Sequence, residues 1–202
     1  NASDAASLAS DRVRRVAIDG SGAVWAALLD GGLDRIDPAT GEVLHVDLGL
    51  DAEQLGSLYS LYVDRKGLLW VGGNHGLSAV DTRTLKTVHF THNPEEAASL
   101  TEGSVRAIAQ DASGNLWVGT YGGGLSSIEA GRVTATFTAA DGLAHDVVLS
   151  VLATPDATLW IGTLGGLSRL EQGVLSSFST EQGLPSDGVL SLLDAGADAL
   201  WI

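Results

Sequence analysis

Five histidines, at positions 45, 75, 89, 92 and 145, are the side chains of this 202-residue chain best suited to proton transfer or metal ligation near neutral pH. His89 and His92 are three apart in a segment that reads as a strand, so they fall on opposite faces and cannot hold one ion. His45 reads as a surface residue. His75 and His145 fall in predicted loops, where a side chain can meet a ligand. Asp19-Gly-Ser-Gly and Asp111-Ala-Ser-Gly have the acid-then-glycine order of calcium loops. They lack alternating acidic positions and a distal Glu, so they read as turns. Gly122-Gly123-Gly124 is followed by neither a Lys-Ser/Thr pair nor a helix, which excludes a phosphate loop. No Ser occupies a nucleophile elbow, and Cys is absent. These residue types predict no catalytic group, no metal and no cofactor.

The elements that must position these residues repeat. Asp111 to Leu125 reads D-A-S-G-N-L-W-V-G-T-Y-G-G-G-L, and Asp64 to Leu77 reads D-R-K-G-L-L-W-V-G-G-N-H-G-L. Asp19 to Leu33 and Thr154 to Leu167 are further copies, and a last one ends at Trp201-Ile202. The tryptophans at 25, 70, 117, 160 and 201 are spaced 45, 47, 43 and 41 residues apart. A period of that size marks an array of similar supersecondary units.

Each unit reads as four short strands. Apolar segments precede the Trp: Val13–Ile18, Leu58–Val63, Val105–Ala109, Val148–Ala153 and Val189–Leu193. An Asp-x-x-Gly turn leads into the Trp strand, where Gly closes the hairpin. A Gly cluster supplies positive φ for the next hairpin. A third strand follows, and a fourth carries Val46, Phe90, Phe137 or Phe178. Four antiparallel strands per period is a propeller blade. The expected fold is an all-β propeller, four blades and an inner half-blade of an incomplete ring. The boundaries are a leader or tag remnant at 1–10, blades at 11–56, 57–103, 104–147 and 148–188, and the half-blade at 189–202. The Trp column is expected to be core between blades rather than a sugar platform. The half-blade's last strand leaves an edge at Trp201, to be covered by further chain or a second copy.

With 45% hydrophobic residues the chain can bury a sizeable core. Its formal charge of −14 argues against nucleic acid and anionic membrane surfaces, which select for basic patches. No apolar run is long enough to span a bilayer, so any membrane attachment is expected through segments outside this sequence.

The repeat D-x-x-G-x-L-W-V-G-T-x-G-G-L, with its F-x-x-x-x-G-L link, resembles the two-component regulator propeller family. Asp111, Gly114, Leu116 to Thr120 and Gly123 to Leu125 match the motif, as do Trp160 to Thr163 and Gly165 to Leu167. Phe137 with Gly142-Leu143 and Phe178 with Gly183-Leu184 match the link. The resemblance implies an extracytoplasmic, periplasmic sensor region of a membrane-anchored hybrid histidine kinase or GGDEF diguanylate cyclase. It implies a small ligand or a protein as partner and no enzyme activity in this segment. The alternatives are an interaction propeller without a small ligand, or a lyase- or lactonase-type propeller enzyme. Fold does not choose among them.

Two classes of loop separate on this scaffold. The Asp-x-x-Gly turns are nearly uniform. Loops between strands two and three, and the links between blades, vary from copy to copy and carry Asp51, Glu53, Glu95, Glu96, Asp146 and Asp187. Variation on a constant scaffold suits recognition. The expected ligand contacts are Asn74, His75, Tyr121 and His145, with the acidic links favouring neutral or cationic ligands.

Overall fold

The computed structural model of the chain describes residues 7–96, 98–196 and 199–202. Residues 1–6 of the expected leader lie outside these. The chain divides into two compact units, one ending at Phe90 and one starting at Thr91. The first unit holds two four-stranded antiparallel sheets. They are β1 (Val13–Ile18), β2 (Val24–Leu28), β3 (Leu33–Ile36) and β4 (Val43–Val46), then β5 (Leu58–Val63), β6 (Leu68–Gly73), β7 (Gly76–Asp81) and β8 (Thr87–Phe90). The second unit holds β9 (Val105–Gln110), β10 (Leu116–Thr120), β11 (Leu125–Glu129) and β12 (Arg132–Phe137), then β13 (Val148–Ala153), β14 (Leu159–Thr163), β15 (Leu167–Glu171) and β16 (Val174–Phe178). A two-stranded sheet, β17 (Leu193–Gly196) and β18 (Ala199–Trp201), follows. Strands in each sheet pair in sequence order, the meander of a propeller blade.

Each unit has its own apolar core, fed from both of its blades. Trp25, Leu33, Leu58, Leu69 and Val71 pack together in the first, and Leu125, Val148, Leu159 and Ile161 in the second. The glycine that follows Trp-Val has a packing reason. A Cβ at Gly119 would run into the Val148 side chain of the next blade.

The Asp-x-x-Gly turns do more than reverse the chain. Asp19 Oδ1 accepts the backbone N–H of Ser21 at 2.8 Å, and Oδ2 accepts the indole N–H of Trp25 at 2.8 Å. Asp64 does the same for Lys66 and Trp70, and Asp111 accepts from Asn115 and Trp117. Burial alone would raise the Asp19 carboxyl, but the bonds from Ser21 and Trp25 outweigh it and hold the pKa below its ordinary value. The fourth blade lacks this Asp. There Asp156 accepts the Thr154 hydroxyl and the Thr158 N–H, and Ala157 takes the positive φ, +66°.

Three expectations change. The fifth leading strand is not Val189–Leu193, since regular pairing begins only at Leu193. The Val189 N–H donates instead to the Thr163 carbonyl at 2.9 Å, tying this extended segment to the fourth blade. The Trp column is not uniformly core: Trp25 is fully buried, Trp117 and Trp160 are half-buried, and Trp201 is 69% exposed at the outer strand. His92 lies beyond β8, so it shares no strand with His89.

Candidate functional site

The residue that follows the second strand of each blade is fixed in the same way four times. The N–H groups of Leu29, Asn74, Tyr121 and Leu164 donate to the carbonyls of Arg12, Ser57, Ser104 and Val147 at 2.9, 3.0, 2.9 and 3.1 Å. Each acceptor sits just ahead of its own blade's first strand. The backbone repeats while the side chain changes from Leu to Asn to Tyr to Leu. Tyr121 is 50% exposed, and Asn74 and Leu164 are also exposed.

In the first unit, Asn74 and His75 divide in character. Asn74 stands at the surface, its Cβ against Gly56, where a side chain would collide with it. His75 turns inward. Its Nε2 lies 2.8 Å from Ser78 Oγ, which lies 2.8 Å from His89 Nδ1, and the two rings meet edge-on at 6.2 Å. Burial and the nearby His89 charge lower the His75 pKa to about 4, so the ring is neutral at physiological pH. The His–Ser–His arrangement superficially suits an activated nucleophile. Ser78 is fully buried, however, so no substrate reaches its hydroxyl. The cluster locks β7, β8 and the hairpin together. This chain of contacts was missed in the sequence, although the spacings 75/78 and 78/89 fit a hairpin pairing of Ser78 with His89.

In the second unit, Tyr121 and His145 come close through the backbone. Tyr121 bridges to Val147, and the N–H groups of Gly122 and Gly124 donate to the Asp146 carbonyl. The Arg106 guanidinium lies 5.0 Å from the Tyr121 ring centre, and Arg106 Nε donates to Ser104 Oγ. His145 is exposed, and its Nδ1 accepts the Val147 N–H at 2.9 Å. That bond places the proton of the neutral ring on Nε2. The structure therefore places Tyr121 and His145 on one hairpin and its adjoining link, with Arg106 of β9 against the Tyr121 ring.

The link carboxylates are largely committed. Asp146 accepts the Ala139 N–H and Asp187 the Thr180 N–H, each at 2.7 Å. Asp51 caps the helical turn Ala52–Leu55 through a capping box with Gln54. These acids close their own links, so less of the charge there is available to a ligand than composition suggests. Glu95 and Glu96 remain exposed.

The opposite blade ends, where the Asp-x-x-Gly turns lie, carry clefts instead. One in the first unit has a volume of about 510 Å³, and one in the second about 430 Å³. None of Asn74, His75, Tyr121 and His145 lines either. Among the described residues, no group of three or more His, Cys, Asp or Glu could hold a metal ion, and no helix is long and apolar enough to cross a membrane.

Comparison with known proteins identifies a two component regulator propeller repeat at residues 99–122, the stretch that contains the turn Asp111 and Trp117. No curated protein matches the chain. Among solved structures, it is similar to the extracellular domain of the putative one component system BT4673 from B. thetaiotaomicron, with a TM-score of 0.72 and 25% identity over 93% of this chain and 26% of that one. It is similar to the extracellular domain of the putative hybrid two component system BT3049 from the same organism, with a TM-score of 0.66 and 20% identity over 94% of this chain and 31% of that one. A virginiamycin B lyase from Staphylococcus aureus aligns with a TM-score of 0.70 at 14% identity over 90% of this chain and 59% of that one, a likeness of fold alone. The chain thus spans under a third of the length of the sensor domains it matches. The fold is an all-β propeller.

Proposed function

We propose that this chain, built on two-component regulator propeller repeats, is part of the extracytoplasmic, ligand-sensing propeller of a membrane-anchored signalling receptor. The output would be a histidine kinase or a diguanylate cyclase carried elsewhere in the receptor. One observation carries the sensing role: four hairpins share one backbone geometry and present three different side chains, Leu at 29 and 164, Asn at 74 and Tyr at 121. Packing alone needs no such divergence, and recognition does. The contacts in this reading are Asn74 in the first unit and Tyr121 with His145 in the second. His75 acts behind Asn74, holding the hairpin in place. Ser78 is fully buried and cannot serve as an enzyme's nucleophile. The β17–β18 sheet, with Leu193, Trp201 and Ile202 exposed, is an edge for further receptor chain or a second copy to extend.

The test is calorimetric titration with panels of neutral sugars, peptides and simple cations, repeated on Asn74→Ala, Tyr121→Ala and His145→Ala. Loss of about tenfold or more in affinity for at least one variant is expected, the scale of one well-placed polar or aromatic contact. A ligand whose affinity survives all three substitutions overturns this placement. Binding of a protein but of no small molecule selects the interaction-propeller reading.

A further inference from the structure

The two turn-end clefts occupy equivalent places in their blades, and both have an arginine beside the strand-two tryptophan. In β3 the residue paired with Trp25 is Arg35, and in β15 the residue paired with Trp160 is Arg169. Their guanidinium carbons lie 5.9 and 5.8 Å from the respective ring centres. The other two blades place Ala79 and Ser127 at this position. An arginine here is therefore not required by the blade.

The two clefts differ in charge. Arg169 is ion-paired with Glu171, and Asp156 and Asp194 also line its cleft. The cleft of the first unit is lined by Arg35, Lys66 and Arg83 against the single carboxylate of Asp81. Asp81 is already engaged, accepting the N–H groups of Arg83 and Thr84 at 2.9 Å. No ion pair is formed by Arg35 or Lys66 among the described residues. Three cations converge here in a chain that has only 11 Lys and Arg against 25 Asp and Glu. Arg35 Nε is buried and has no hydrogen-bond partner. Enclosed as it is, that atom is out of a ligand's reach, and Arg35 meets the cleft through its other atoms.

Part of the lining is apolar and is kept at a cost. Leu44, Leu68 and Leu85 line it. Leu85 has φ +59° and donates its N–H to the Asp81 carbonyl, the bond that Gly41 (φ +76°) makes to Asp37 in the blade before. Glycine is the unstrained residue at such a position. The second blade instead holds a leucine there, which packs on the core and faces the cleft region.

We propose that this cleft is a second binding site, for a small organic carboxylate. The Arg35 guanidinium, already oriented by Trp25, would receive the carboxylate through its two terminal N–H groups, one of the forked geometries in which arginine binds that group. Lys66 and Arg83 supply further charge, and the leucines carry the apolar body. A volume of about 510 Å³ suits a ligand of that size. The site is independent of the hairpin reading above, since it shares none of its residues.

Benzoate is the probe, with neutral benzamide as control and NMR of the arginine Nε–H groups as readout, beside calorimetry. Benzoate is expected to shift the Arg35 Nε–H resonance and leave that of Arg169 unmoved, because the second cleft is acidic. Benzamide should move neither. Affinity should fall about tenfold or more in the exposed pair Lys66→Gln/Arg83→Gln, which leaves the core untouched, and should weaken with added salt. Arg35→Gln should abolish binding, with its thermal unfolding measured alongside. The site is refuted if benzoate fails to bind, if the Lys66→Gln/Arg83→Gln protein binds it as tightly as the parent, or if benzamide binds equally well. The hairpin variants test the sensing proposal separately, so either idea can fail alone.

Discussion

The tie between the turn carboxylate and the indole can be isolated with two conservative changes in the first blade. In Asp19→Asn the side-chain carbonyl can keep accepting the N–H groups of Ser21 and Ala23, so the turn itself is preserved. The other arm becomes an NH₂ facing the N–H of Trp25, two donors in contact. Trp25 is fully buried and cannot turn to water instead. A hydrogen bond to a charged acceptor contributes about 1.5–3 kcal/mol net, and an orphaned buried donor costs a similar amount. Asp19→Asn should therefore cost about 2–3 kcal/mol. Trp25→Phe removes the donor and part of the ring and should cost about the same. The double variant should cost less than the sum by about 1–2 kcal/mol, because the second change removes the conflict created by the first. Urea unfolding of the four proteins measures this cycle. Costs that add within about 0.5 kcal/mol would mean that the two groups are not coupled, and the reasoning fails. The pH dependence has a fixed sign. A carboxyl held below its ordinary 3.8 gives stability that is present above that value and lost as pH falls through the folded value. The gap between parent and Asp19→Asn should therefore narrow in acid.

His75 has the opposite chemistry and the same direction. Its folded pKa of about 4 lies below the ordinary 6.5, so its contribution is complete above 6.5 and lost as pH falls toward 4. His75→Gln should reduce the fall in unfolding free energy between pH 7 and 5 by about 1–2 kcal/mol, discounted for the ring's partial exposure. Gly119→Ala should cost about 1–3 kcal/mol in thermal unfolding, since Val148 must move to admit the methyl group. Replacing Leu193 and Trp201 with Lys should suppress self-association of the isolated chain in sedimentation experiments, because both are exposed on the two-stranded sheet.

The strands were legible because short apolar runs, Trp spacing and glycine hairpins all repeat with one period. Val189–Leu193 misled for a physical reason. An apolar run shows that a segment is buried or extended, but not where its N–H groups go, and the Val189 N–H goes to Thr163. The Asp–Trp tie left a trace: Asp19, Asp64 and Asp111 each stand six residues ahead of Trp25, Trp70 and Trp117. Each column was read separately, as turn and as core, and only side-chain geometry joins them. The role of Asp146 and Asp187 was hidden likewise, because a carboxylate that caps its own link looks the same in sequence as one that awaits a ligand.

A repeat protein supplies its own control, and both proposals use it in the same way. At the hairpin ends, Leu29, Asn74, Tyr121 and Leu164 share a backbone bond, while the side chain changes from Leu to Asn to Tyr and back to Leu. Opposite the tryptophans the column runs Arg35, Ala79, Ser127 and Arg169, again on one register. An alanine there satisfies the blade, so each arginine must be explained by what surrounds it. Glu171 explains Arg169. Arg35 forms no ion pair among the described residues and lines its cleft with Lys66 and Arg83 against Asp81 alone, which is why the first unit's cleft, and not the second's, suits an anion.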